Sequence, residues 1–231
     1  MNAVLKENAM KIIDSLIADE IISASDLANY NDAGANRTDP EHIRREMENW
    51  YITLGIEELI GHTFRLNLPY FTESEINEAY QKNEMIMCLP KGLTKKMLGT
   101  LFNLQSWAIT DELVADKTEA SDFWFMMKME EVSEYLDSQG REIRKIYEKE
   151  EKLQLTLERY MVYIARMRYL YRKTPDTSTK TWLVNSRYEK KAMLIAGFDS
   201  KSKFSIHAWM PNFHSPYVGG RYVKIVDHHY I

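Results

Sequence analysis

The chain has 231 residues, of which 45% are hydrophobic and 28% charged, with 14 Tyr, 5 Trp and a net charge of −4. This composition excludes a disordered polyelectrolyte, and the lone Cys88 excludes a fold built on intramolecular disulfides. Lys6, Glu7, Lys11, Asp14, Asp19 and Glu20 interrupt the first apolar run before it reaches the length of a secretion signal. No stretch approaches the roughly 18 uncharged apolar residues of a membrane helix, so a cytoplasmic protein with no membrane partner is expected.

In chain order, Val4, Ile12, Ile13, Leu16 and Ile17 share one face of an opening helix, and a short second helix starts near Ser25 or Asp26. Residues 31–40, rich in Asn, Asp, Gly and Pro, are a loop. Asp39 and Pro40 then start a helix running to about Leu54, with Ile43, Met47, Trp50, Tyr51 and Leu54 on one side. Thr63–Leu68 is an extended piece. Thr72 with Glu75 forms a capping box for the next helix, which Pro90 closes. A further helix covers Leu93–Leu104, while Ser106–Ala115 reads equally as a short strand or an irregular connection.

Ser121 and Asp122 open a helix with Phe125, Met129, Val132 and Leu136 on its apolar face, and Gly140 ends or interrupts it. Beyond it, Ile143, Ile146, Leu153, Leu157, Tyr160, Ile164, Met167 and Tyr171 keep a heptad spacing that predicts one long helix. Its second half is apolar around most of its circumference, as a buried helix is. Its first half is free to pair with a second copy as a homodimer. Thr174–Thr179 is a turn. Thr181–Val184, Ala192–Phe198, Phe204–Trp209 and Tyr222–Val226 are short strands, with hairpin turns at Asp199–Ser202 and Gly219–Gly220. The expected fold is α+β and α-dominated: a helical N-terminal region, a long central helix and a small C-terminal antiparallel sheet. Residues 1–120 form the acidic helical region. Residues 121–231 hold the long helix and the sheet, and the two pack as one unit.

Charge is distributed unevenly. Residues 1–140 hold 12 basic and 25 acidic residues, and residues 141–231 hold 18 and 9. Lys145, Lys152, Arg159, Arg166 and Lys173 recur every seventh residue, which on a continuous helix makes a positive stripe roughly 40 Å long. Such a row attracts a nucleic-acid backbone, and Arg187, Lys190 and Lys191 extend it. Trp182, Tyr188, Phe204, Trp209 and Tyr222 are candidate stacking platforms where they face outward. The plainer reading is a solvated charged face beside a sheet whose aromatics are core.

Three other clusters carry chemistry. His207, His214 and His228, with His229 and Asp227, are candidate ligands for a divalent metal or candidate acid–base groups, although their spacing matches no known signature. No resident cofactor is otherwise expected. Gly219, Gly220 and Arg221 suit either a tight turn or a phosphate or carboxylate clamp. Asp26, Asp32, Asp39, Glu41, Glu46 and Glu48 suit a solvated helical face or an acidic surface that imitates nucleic acid. The chain has no phosphate loop, dinucleotide fingerprint, His-Glu-x-x-His motif or paired-cysteine metal motif.

The expected function is that of a non-enzymatic accessory or regulatory protein. It contacts nucleic acid, or a nucleic-acid-handling complex, through its basic C-terminal half. The alternatives are a protein-binding inhibitor or adaptor using the acidic helices, and a metal- or His-dependent hydrolase or nuclease.

Overall fold

The computed structural model describes residues 37–150 and 152–225, and Asp39 and Pro40 start the first helix among them. The expected opening helix and the one near Ser25 lie outside the described residues. Helix α1 (Pro40–Thr53) is capped by the Asp39 carboxylate, which accepts the Glu41 N–H at 3.0 Å. Its buried Ile43, Met47, Trp50 and Tyr51 fall at helical spacing, each contributing about 1.5–3 kcal/mol by leaving water. The Tyr51 hydroxyl donates to the Cys88 carbonyl at 2.8 Å. Gly55, at φ 87°, turns the chain into the short α2 (Ile56–Ile60).

Thr63–Leu68 is irregular and joins no sheet; Phe64 and Leu66 bury their side chains while their N–H groups donate to Glu57 and Glu48. The expected capping box is present, and Thr72 and Glu75 start α3 (Glu73–Gln81). Pro90 does not end that helix. Between them lies β1 (Glu84–Leu89), buried along its whole length. It pairs antiparallel with β2 (Phe123–Lys128), from Glu84↔Lys128 to Leu89↔Phe123. A strand therefore replaces the helix expected after Ser121. Phe125 and Met129 fit helical spacing, but a short apolar run buried on both faces carries no period that separates strand from helix. Asp122 spans two loops instead of opening a helix, accepting from Lys91 N and Asn67 N. Helices α4 (Lys95–Leu101) and α5 (Trp107–Thr110) fill the connection between β1 and β2.

The long helix is two helices, α6 (Gly140–Lys149) and α7 (Leu157–Tyr171). Between them Leu153–Gln154 forms β3, paired antiparallel with β8 (Tyr222–Val223), and Thr156 caps α7 by accepting the Arg159 N–H. Seven residues, 150–156, separate the helices. One full heptad is thus removed from helix without disturbing the phase, so the apolar seam reads through the break as if it were continuous. Helix α7 is buried nearly all round, with Tyr160, Met161, Val162, Tyr163 and Ile164 inaccessible.

The C-terminal sheet has the order β6-β5-β4-β7, from β4 (Lys180–Tyr188), β5 (Ala192–Phe198), β6 (Phe204–Trp209) and β7 (Val218–Gly220). It is mixed and not antiparallel, because β7 runs parallel to β4. Alternation splits its two faces: Leu183, Leu194 and Ala196 enter the core shared with α1, α7, β1 and β2, while Trp182, Met193 and Ile195 pack under Ile143 and Tyr147 of α6. The molecule is mixed α and β, 34% helix and 23% strand with seven helices among the described residues, which overturns the α-dominated expectation.

Gly219 and Gly220 lie within β7 and form no hairpin turn. A Cβ on Gly219 would overlap the Glu134 carbonyl oxygen, whose residue bridges to Gly220 by two backbone hydrogen bonds of 2.7 and 3.0 Å. Gly219→Ala is therefore expected to lower stability by about 1–3 kcal/mol through overpacking, read as a lower urea midpoint. An unchanged midpoint would mean that β7 can retreat.

Candidate nucleic-acid interface

The five heptad cations do not form one wet row. Lys145 on α6 is exposed, with no ion pair among the described residues. Lys152 lies past the helix end, 2.5 Å from Glu150 and 3.9 Å above the Tyr222 ring. Arg159, only 8% exposed, donates through Nε and Nη2 to Glu119 and through Nη1 to the Gln154 carbonyl, with its guanidinium 3.9 Å over Phe123. Arg166 is 3% exposed and pairs with Glu46, and Lys173 pairs at 2.7 Å with Glu131. The stripe needs a continuous rod. The break at 150–156 removes that rod, and the burial of α7 takes Arg159 and Arg166 into the interior.

The charge asymmetry is spent inside the molecule. Glu46, Glu84 and Glu119 of the acidic part hold Arg166, Lys224 and Arg159 of the basic part. The candidate acidic surface is used in the same way: Asp39 caps α1, Glu41 and the buried Glu48 pair with Arg44, and Glu46 pairs with Arg166. Asp26 and Asp32 lie outside the described residues.

The histidines have separate partners. His207 on β6 meets the Ser205 hydroxyl at 3.0 Å, and burial with the Lys180 charge lowers its pKa. His214 meets Asp137 at 2.9 Å with both side chains exposed. His228 and His229 lie outside the described residues, among which no three His, Cys, Asp or Glu converge as a metal site. Of the sheet aromatics, Trp182 and Phe204 are core, while Tyr188, Trp209 and Tyr222 are half-buried. Cys88 is fully buried, and that burial pushes its thiol pKa up, away from nucleophilic use.

Arg221 grips a carboxylate, but an internal one. Asp176, with no exposure, sits in the turn after α7 and takes Arg221 Nε and Nη2 at 2.9 and 3.0 Å. Its Oδ1 also accepts from Ser133 and Thr179, and its Oδ2 from Tyr160 and Thr181. Each oxygen holds three donors. With every lone pair used and no solvent path, this cluster is closed to a ligand.

What stays open is the face between α6 and β4. At 100° per residue Arg141, Arg144, Lys145 and Lys149 follow one flank of α6, with Glu148 among them. Arg144 reaches the Val184 carbonyl of β4 at 3.4 Å, and its Nε is buried without a partner. Arg187 stands close by on β4; burial, then the Arg144 charge, lowers its pKa. No described carboxylate pairs with either arginine. Lys190 and Lys191 are exposed at the β4–β5 turn, whose backbone holds the Leu113 carbonyl. Lys145 and Arg187, singled out from the sequence, both stand on this face, and Arg144, which was not, stands between them. The i, i+3, i+4, i+8 spacing from Arg141 to Lys149 carries the signal, and the longer heptad period obscured it.

No helix among the described residues is long and apolar enough to cross a membrane. Comparison with protein families, curated proteins and solved structures gives no match to the chain.

Proposed function

We propose that this chain is a non-enzymatic accessory protein of the cytoplasm whose α6–β4 face touches the phosphate backbone of a nucleic acid. One observation carries the reading: Arg144 and Arg187 are held near each other, partly desolvated, with no carboxylate paired to either among the described residues. Two like charges so placed oppose folding unless something else repays the cost, and an oxyanion between them is the direct compensation. Lys145 and Lys149 flank the pair and give a backbone further points of contact.

The test is a salt titration of binding to an oligonucleotide, with the chain carrying Lys145→Glu and Arg187→Glu. Weaker binding is expected, together with a log K against log salt slope flattened by about 2 in magnitude, near one unit per lost phosphate contact. A folded double variant that keeps the native affinity and slope would defeat the proposal.

A protein-binding adaptor is the second reading. Met210 and Phe213 are 53% and 59% exposed just after β6, near the start of α6, where Arg141 N donates to the Pro211 carbonyl. Large exposed apolar side chains at one end of a sheet favour a protein partner. A stoichiometric protein co-purifying without nucleic acid, and lost in Phe213→Ser, would decide for it.

A further inference from the structure

A groove of about 1040 Å³ lies between α1, the end of α3, β1 and the end of α7, on elements away from the α6–β4 face. Ile43, Met47, Met85 and Ile86 line it below, and Tyr80, Tyr169 and Tyr171 stand exposed along it. Two buried side chains in its lining keep donors that no group among the described residues accepts. Trp50 is 2% exposed and its Nε1 has no partner. Arg166 is 3% exposed; Nη2 is held by Glu46, while Nε and Nη1 have no partner.

The rings beside Arg166 do not remove the deficit. Trp50 and Tyr169 lie with their centroids 5.0 and 5.5 Å from the guanidinium carbon. A ring face attracts the cation but does not supply an oxygen acceptor in the plane of the guanidinium. Seven buried side-chain polar atoms lack a partner among the described residues, and three of them belong to these two neighbours. Buried N–H groups are nearly always satisfied, so a cluster of orphaned donors in one ligand-sized groove marks a site whose acceptor comes from outside.

We infer that this groove binds a small organic oxyanion, a carboxylate or a phosphate ester, with a planar apolar body. All three orphaned atoms are donors, so the ligand presents acceptors. Two of them belong to a guanidinium whose one ion-pair partner among the described residues is the half-exposed Glu46, so the acceptor is anionic. The exposed rings of Tyr80, Tyr169 and Tyr171 take the body by stacking.

The experiment is a titration of the full-length, ¹⁵N-labelled chain with benzoate, phenyl phosphate and neutral benzamide, followed at the tryptophan indole N–H resonances. Trp50→Phe identifies the Trp50 signal and keeps an aromatic ring. Benzoate or phenyl phosphate is expected to shift that signal saturably, the tighter of the two naming the oxyanion. Benzamide should bind at least tenfold more weakly, and Tyr169→Ala, at an exposed position, should weaken the preferred anion several-fold. The inference is overturned if neither anion moves the Trp50 signal, if benzamide binds as well, or if the folded Tyr169→Ala chain keeps full affinity.

Discussion

Asp176→Ala is expected to cost about 3–5 kcal/mol, because it strands the buried Arg221 guanidinium and four hydroxyl donors at once. Against a total stability of about 5–15 kcal/mol, that is enough to leave much of the population unfolded at 37 °C. Urea denaturation monitored by far-UV circular dichroism measures it. Asp176→Asn should fall between the two, since it keeps an acceptor but loses the charge. The double variant Asp176→Leu/Arg221→Met should recover part of the loss, because it removes the charge with its partner. A single Asp176→Ala chain as stable as the native one would show that the pair is not a structural hub.

The same cluster sets a pH dependence. Burial alone would raise the Asp176 pKa, but the Arg221 charge and the converging hydrogen bonds outweigh it and hold the carboxyl below the ordinary range. A depressed folded-state pKa means that the stabilisation is complete above the unfolded value of about 3.9. It is lost as pH falls through the lower folded value. Native stability should therefore fall steeply only in strong acid, and Asp176→Asn should lack that segment of the curve.

The second large effect concerns Arg159, which the sequence places on a nucleic-acid stripe and the fold places inside. Arg159→Glu sets a carboxylate against Glu119 and abandons the Gln154 carbonyl and the Phe123 ring. The expected loss is about 3–5 kcal/mol, from breaking one partner of a buried pair and adding a like charge. Lys145→Glu, on the exposed flank of α6, should change stability by no more than about 0.5 kcal/mol. Paired urea melts of the two variants separate a structural cation from a surface one. Equal, small effects would mean that Arg159 is a surface cation and not part of the packed interior.

These outcomes also mark where reading the residues in order succeeds. Signals that act within a few residues of chain were legible: the Asp39 and Thr72 caps, the turn around Asp176, the strands Ala192–Phe198 and Phe204–Trp209, and the hairpin at Asp199. Each depends on a backbone group satisfied nearby, so neighbouring residues specify it. Thr156 carried a local cap as well, but the heptad seam on either side masked it.

Long-range partners decided the rest. Helix or strand at Phe123–Lys128 depended on β1 lying alongside, and the break at 150–156 depended on Tyr222–Val223 being there to pair with Leu153–Gln154. The fate of each cation followed the same logic. Composition and order along the chain set how much charge each half carries. Only packing brought Glu46 and Glu119 onto Arg166 and Arg159 while leaving Arg144 and Arg187 without a paired carboxylate among the described residues. Ion pairing acts through space across 40 and 120 residues of chain in these two pairs, and no local pattern records it.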